Sequence, residues 1–206
     1  SFKDRFVSYL QHQLSWSMQT QQAVQHIYPK FAFVTRLQSR MAIGKTSANQ
    51  LYWGSQLYLP GLGRNHSLVL GFNYQRRDTL RQYSFSNGFA MARGYDGIDY
   101  PRMWKTSFNY HMPLVYPDLG IGNIVYFLRI RSNFFYDDMQ LKSLRTGKVI
   151  KLRSAGTEVY FDTKWWNQQN VTFGIRYSRL LDTELFVKPP NPNRWEFIMP
   201  IDLLSN

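Results

Sequence analysis

The sequence predicts an all-β fold, specifically an antiparallel up-and-down transmembrane β-barrel, from three observations. Apolar and polar residues alternate with a period of two through most of the 206 residues, as in strands with two different faces. Short and long connections between these strands also alternate. Aromatic residues make up 17% of the chain and crowd the ends of the apolar strand faces. The alternation alone leaves one alternative open, a soluble β-sandwich or lipocalin-like barrel.

Nine segments show the period-two alternation, and no segment has a pattern that predicts a helix. In chain order they span about residues 6–19, 28–41, 50–59, 67–75, 104–112, 123–137, 158–165, 171–178 and 194–203. Charged residues in mid-strand fall on the face opposite the apolar one, as in 123–137, where Arg129, Arg131 and Asp137 share a face. A small closed core could not hold so many charges unpaired, whereas a water-filled lumen could.

The connections supply the second observation. The short ones are 26–29, 60–65, 116–122 and 167–170, and the long ones are 42–49, 77–102, 138–153 and 182–193. In an up-and-down membrane barrel, short turns face the periplasm and long loops lie outside the cell. The longest connection, 77–102, is expected to be functional, because a compact domain rarely carries so long an irregular segment without a role.

Composition argues against several function classes. The formal charge is +12, but Lys and Arg are spread along the chain instead of forming one stripe, so we expect no nucleic-acid partner. Aromatic residues could still act as stacking platforms for a single strand, which keeps that alternative open. Cysteine is absent and the four histidines lack metal-ligand spacing, so neither a metal nor another cofactor is expected. Asn109 and His111 are the nearest approach to a catalytic pair, and two polar residues on one strand are ordinary, so no catalytic residue is predicted.

Two motifs resemble a known family. Arg93-Gly94-Tyr95 is similar to the Arg-Gly-Phe/Tyr tip of the sixth extracellular loop in the BamA/TamA superfamily of outer-membrane assembly and secretion barrels (the surface antigen family), which includes the two-partner-secretion transporters. In that family the loop folds back into the lumen and five strands follow it, and five predicted strands follow it here. Phe134-Phe135-Tyr136-Asp137 resembles the family's Phe-Phe-Asp, whose aspartate pairs with the loop arginine. Strand parity favours Asp137 over Asp138, because Asp137 shares the face of Arg129 and Arg131.

Weaker similarities extend the match. The run 110–114 (Tyr-His-Met-Pro-Leu) resembles a family strand that ends in an aromatic-x-Phe-Pro-Leu pattern, and the turns 27–30 and 57–62 resemble those of Bacteroidetes members. The resemblance implies that residues 1–206 are the C-terminal part of a barrel, about the eighth to the sixteenth strand, in which 77–102 is the lumenal or extracellular loop. It also implies an upstream periplasmic domain of the same chain. The sequence departs from the family at Asn109, where many members have an acidic residue, and at residues 203–206, which lack a terminal aromatic.

The resemblance implies a function at the outer membrane of a Gram-negative bacterium, where such barrels help client polypeptides insert or cross. Partners would be outer-membrane lipid, lipopolysaccharide and the clients. Arg93, Gly94 and Tyr95 would be latched to Asp137 in the lumen, with support from four further residues, Asn109, His111, Arg129 and Arg131. Two alternatives remain open: a passive outer-membrane channel or structural barrel, and a soluble β-domain that binds a polymer or ligand. The chain alone, with an odd number of strands, is expected to form an open, curved sheet with two bare edges, and Pro200 would weaken the last strand.

Overall fold

The structure, a computed structural model, describes residues 7–22, 26–43, 48–78, 85–98, 100–122, 124–142, 147–166, 168–185 and 190–199. These residues form one antiparallel sheet and contain no α-helix, so the prediction of an all-β, up-and-down fold is confirmed. The strands are β1 (Ser8–Gln19), β2 (Ala32–Ile43), β3 (Asn49–Pro60), β4 (Ser67–Arg77), β5 (Arg102–Val115), β6 (Leu119–Ile121), β7 (Val125–Lys142), β8 (Val149–Trp165), β9 (Gln169–Leu180) and β10 (Asn193–Ile198). A short 3₁₀ turn, Thr183–Leu185, follows β9.

Each strand pairs with its neighbours in chain order, except that the short β6 folds back onto β7 and lets β5 pair with β7 directly. β1 and β10 lie at the two ends of this order, and no pairing joins them in the part of the chain that the structure describes. The sheet is therefore open, as expected for the chain alone. The predicted strand residue Phe6, the seam residue Pro200 and the chain end at 203–206 lie outside the described residues.

The predicted loop 138–153 is wrong, because most of it is strand. β7 continues to Lys142 and β8 begins at Val149. The alternation reverses in these extensions: the face that carries polar residues in mid-strand here carries Met139, Leu141 and Leu152, all fully buried. Because the expected polar face becomes apolar here, the sequence pattern predicted a loop where the strands in fact continue. The predicted turn 116–122 also differs, since it contains β6.

The two faces of the sheet have opposite chemistry. The face that carries Asp137 and Glu158, here called the polar face, holds many of the buried polar residues, and both of these carboxylates are at most 1% exposed. The other face, here called the apolar face, is open and carries large hydrophobic side chains from nearly every long strand. Examples are Leu14, Trp16, Leu37, Trp53, Phe108, Phe134, Ile175, Trp195 and Phe197. A water-soluble domain has the reverse arrangement, with buried apolar residues and exposed charges.

Candidate functional site

The long connection between β4 and β5 folds onto the polar face, and its described residues 85–98 cover the centre of β5, β7 and β8. Phe89, Ala92 and Tyr95 of this loop are buried. They pack in one cluster with residues that the strands supply, namely Met103, Met139, Leu141, Leu152 and Leu180. The reversed alternation at the ends of β7 and β8 therefore has a local cause, because it provides an apolar seat for the loop.

Arg93, at the loop tip, makes a three-point contact with Asp137 of β7. Its Nε lies 2.9 Å and its backbone N 3.0 Å from Asp137 Oδ2, and its Nη2 lies 3.0 Å from Oδ1. Two parallel guanidinium–carboxylate bonds fix orientation as well as distance. The Asp137 side chain is completely buried and that of Arg93 is 15% exposed, so removing one partner would leave an uncompensated charge out of water. We call this contact the latch.

Neighbouring side chains complete the environment of the Arg93 guanidinium. Its Nη2 donates to Asn109 Oδ1 at 2.6 Å, and its Nη1 lies 3.3 Å from Glu158 Oε1. The guanidinium carbon stands 3.9 Å above the centre of the Phe135 ring, a favourable cation–π geometry. The arginine is thus held on its edge by acceptors and on one face by an aromatic ring.

Glu158 of β8 links the latch to the next strands. Its Oε1 accepts a hydrogen bond from Arg176 Nε at 2.6 Å, and its Oε2 accepts one from Asn133 Nδ2 at 2.6 Å and another from the Tyr160 hydroxyl at 2.7 Å. Arg176 in turn pairs with Glu196 of β10 at 3.2 Å. The result is a continuous hydrogen-bonded network from the loop tip to the edge strand, in which each buried charge has an opposite charge beside it.

Gly94 is required by both conformation and space. Its φ of +82° lies in the left-handed region, which is costly for residues with a Cβ. An added Cβ would lie 2.8 Å from Leu180 Cδ2 and 3.0 Å from Ser178 Cβ, so the backbone itself rests against β9. Glycine at this position is what lets the loop tip reach the sheet.

Tyr95 anchors the far side of the tip. Its hydroxyl donates to the carbonyl oxygen of Arg153 at 2.9 Å and accepts from the backbone N of Asp182 at 3.2 Å. Burial raises the pKa of the Tyr95 hydroxyl above its ordinary value, so the hydroxyl keeps its proton and remains a donor. Tyr95 therefore ties the loop to the ends of β8 and β9.

A second glycine supports the latch from below. Gly156 of β8 faces Phe135 across the strand pair, and a Cβ there would lie 2.8 Å from Phe135 Cζ and 2.0 Å from the carbonyl oxygen of Tyr177. The missing side chain lets the Phe135 ring lie close to the sheet, which places its upper face under the Arg93 guanidinium. Gly174 and Tyr160 repeat this arrangement on the next strand pair.

The predicted site residues divide into two groups. Arg93, Gly94, Tyr95, Asp137 and Asn109 come together at the loop tip. Arg129 and Arg131 instead pair with Asp162, at 2.7 and 3.1 Å. His111 is buried against the Tyr28 ring, with 4.9 Å between ring centres. These three predicted supporting residues therefore lie outside the shell of Arg93.

Sequence reasoning missed Glu158, Arg176 and Lys105 as members of the site. Lys105 Nζ donates to the carbonyl oxygen of Met91 at 3.1 Å and so holds the loop two residues before Arg93. The alternation within β8 was enough to place Glu158 on the charged face of that strand. Its proximity to Arg93 depends on the pairing register of β8 with β7. Asn133 stands directly opposite Glu158, and Asp137 opposite Ser154.

The arrangement can hold a loop in place against the sheet. No group of three or more His, Cys, Asp or Glu residues is placed to bind a metal ion within the described ranges. No helix in the described part of the chain is long and apolar enough to cross a membrane. Comparison of the chain with protein-family models, curated proteins and solved structures gave no match.

Proposed function

We propose that this chain is part of an outer-membrane β-barrel of the assembly or secretion type, in which the loop latched by Arg93 and Asp137 closes the lumen. Its work is to help client polypeptides insert into or cross the outer membrane of a Gram-negative bacterium. The observation that carries the proposal is the inverted distribution of polarity, a buried charged face behind a loop and an exposed apolar face.

The apolar face supports a lipid environment. Trp195, Leu14 and Phe197 are 72%, 70% and 68% exposed, on strands at opposite ends of the sheet. Exposed apolar patches larger than a few hundred Å² are rare on water-soluble monomers. In a bilayer the same residues would face acyl chains, while the polar face would line an interior that admits water.

Strand length supports the same placement. β1 to β5 and β7 to β9 contain 11 to 18 residues each. A tilted strand needs about 9–11 residues to cross the hydrocarbon region, whereas strands of water-soluble sheets most often have about 5–6. In the extensions of β7 and β8 the apolar face of the sheet becomes polar, as at Gln140 and Lys142. In a membrane barrel these strand ends would extend out of the bilayer into water.

The latch favours a gated barrel over an open pore. The loop occupies the polar face of β5, β7 and β8, where a permeating solute would have to pass. Opening the loop would break the bidentate pair between Arg93 and the fully buried Asp137 and expose the apolar cluster that the loop covers. β10 lies at one end of the strand order, and the backbone donors and acceptors of such a last strand can pair with an incoming strand.

The test is performed on the full-length protein in lipid. In planar bilayers we expect a small conductance from the wild-type protein and a larger one from Asp137→Asn, with Asp138→Asn as the matched control because Asp138 lies on the opposite face. In liposomes, we expect the protein to accelerate membrane insertion of a urea-denatured β-barrel client.

Each alternative gives a different result. A large, steady conductance that Asp137→Asn leaves unchanged, with no effect on client insertion, would identify a passive channel. A full-length protein that is monodisperse in plain buffer without detergent would identify a water-soluble β-domain, and would contradict the membrane placement altogether.

A further inference from the structure

The polar face of β1 and β2 differs from that of β7 and β8, because its central residues are not buried beneath the loop, whereas Gln50 and Tyr52 of β3 do pack against the loop. Its exposed positions on β1 and β2 include amides, hydroxyls and one cation, namely Gln11, Gln13, Ser15, Ser17 and Arg36, together with the aromatic Tyr9. Gln38 and Arg40, on the same face of β2, are half-buried. Every one of these side chains can form hydrogen bonds.

Two arginines on this surface have no carboxylate partner among the described residues. Arg40 uses neutral acceptors instead: its Nε donates to Gln11 Oε1 at 2.9 Å and its Nη1 to Gln50 Oε1 at 3.5 Å. Arg36 is exposed and stands in register between Ser15 and Gly54, with the Tyr52 hydroxyl lying over Gly54. The two arginines are four residues apart on one strand, so their Cα atoms are about 13 Å apart.

The charge along the chain is distributed unevenly in a way that leaves these arginines uncompensated. Of the 13 acidic residues only Asp4 and Asp78 precede residue 96, whereas 11 of the 25 Lys and Arg residues do. Nearly all carboxylates thus belong to the half that contains the latch. Among the residues that the structure describes, Arg36 and Arg40 therefore keep positive charges that no carboxylate beside them neutralises.

A cleft adjoins this surface at the long-loop end. It has a volume of about 560 Å³ and lies at the strand ends, where Arg40, Gln50 and Arg77 come from the polar face and Ser39, Met41, Asn49, Leu51 and Arg76 from the apolar face. Asp78 at its rim is the one carboxylate among the lining residues. Arg40 is half-buried and lines the cleft from the side of the open surface, so the cleft adjoins that surface at Arg40, while Gln50 is buried beneath the loop.

We propose that the polar face of β1 and β2, with the adjoining cleft, binds a water-soluble anionic oligosaccharide. The arginines would take its carboxylate or phosphate groups, for which the guanidinium fork is suited. The glutamines offer both a donor and an acceptor to each sugar hydroxyl. This polar face lies on the opposite side of the sheet from the apolar face, so a ligand reaches it from water and is itself water-soluble.

Two other polyanions fit less well. An acidic peptide that binds along a sheet needs apolar pockets for alternate side chains, and the exposed positions named above provide none. A single-stranded nucleic acid needs exposed aromatic platforms. Of the aromatic residues on this face, Tyr9 packs its ring edge against Phe85, with 5.5 Å between ring centres, and Tyr52 packs against the loop cluster and donates its hydroxyl to Asn73 Oδ1.

The experiment measures binding of a short oligogalacturonate to the detergent-solubilised full-length protein by titration calorimetry at two salt concentrations. Neutral maltodextrin, oligoglutamate and oligothymidylate are the comparison probes. We expect the oligogalacturonate to bind most tightly, with an affinity that falls as salt rises. Arg36→Ala and Arg40→Ala should each weaken it by roughly tenfold, the loss of a charge-assisted contact. Arg179→Ala, an exposed arginine on the other face of β9, should leave the affinity unchanged.

Equal loss in Arg179→Ala would show that only net charge matters and would overturn the proposal, as would tighter binding of oligoglutamate or oligothymidylate. Absence of oligogalacturonate binding would overturn it too. This test needs neither a bilayer nor an intact latch, so its failure would leave the conductance and insertion tests of the proposed function standing.

Discussion

The polar face of the sheet contains two regions of different construction. On β7 and β8 it is covered by the loop, and its charges are paired: Asp137 with Arg93, and Glu158 with both Arg93 and Arg176. On β1 and β2 it is uncovered, and Arg36 and Arg40 have no carboxylate partner in the described part of the chain. Both regions lie on one continuous sheet with the same apolar face behind them.

This comparison separates charge that holds the fold from charge that is available to a ligand. A buried charge is tolerated only when an opposite charge and hydrogen bonds satisfy it, so the covered region must be neutralised internally. An exposed arginine carries no such requirement because water solvates it. Substitutions in the covered region should therefore change stability, and those in the uncovered region should change binding instead.

The largest effect is expected from Asp137→Ala. The substitution leaves Arg93 without its bidentate partner in a buried site, and we expect the free energy of unfolding to fall by about 3–5 kcal/mol. Urea titration of the protein in lipid vesicles measures this change. Asp138→Ala, on the opposite face of the same strand, is the control and should cost far less. Equal losses in both variants would mean that the latch contributes nothing special.

A smaller loss is expected from Gly94→Ala, about 1–3 kcal/mol, because the left-handed backbone and the contact with Leu180 and Ser178 both disfavour a Cβ. Gly97→Ala is the matched control, since no atom lies within 4 Å of a Cβ built there. The same unfolding titration compares them. If both variants unfold like the wild type, the loop tip does not rest against β9.

Acid should weaken the outer end of the covered region. Hydrogen bonds from Arg153 lower the pKa of Asp182 from its ordinary value of 3.8. Stability from this carboxylate is therefore fully present above that ordinary value and is lost as pH falls through the lower, folded-state pKa. We expect the stability difference between wild type and Asp182→Asn to shrink as pH drops below about 4. A difference independent of pH would exclude a contribution from the Asp182 charge.

The smallest change is expected from Arg36→Ala, whose unfolding free energy should stay within about 0.5 kcal/mol of the wild type. This residue is exposed and makes no ion pair within the described ranges. A loss as large as that of Asp137→Ala would show that the uncovered region also has a structural role, and the comparison between the two regions would fail.

Local alternation was sufficient to predict nine of the ten strands that the structure describes and, in mid-strand, the face on which each side chain lies. It placed Asp137 with the charged residues of its strand, and the resemblance at Arg93-Gly94-Tyr95 supplied its partner. Glu158 was missed because its distance from Arg93 is set by the register of β7 against β8, which alternation within one strand does not contain. The ends of β7 and β8 were missed because Met139, Leu141 and Leu152 face the loop and reverse the local pattern.

The central claim is that the apolar face of the sheet contacts lipid and the polar face contacts water. The most direct measurement uses the absence of cysteine in this chain and compares Phe134→Cys with Arg36→Cys in the full-length protein in lipid vesicles. We expect a water-soluble maleimide to label Arg36→Cys rapidly, and to label Phe134→Cys only after detergent and urea are added. Equally rapid labelling of both variants in intact vesicles would contradict the account.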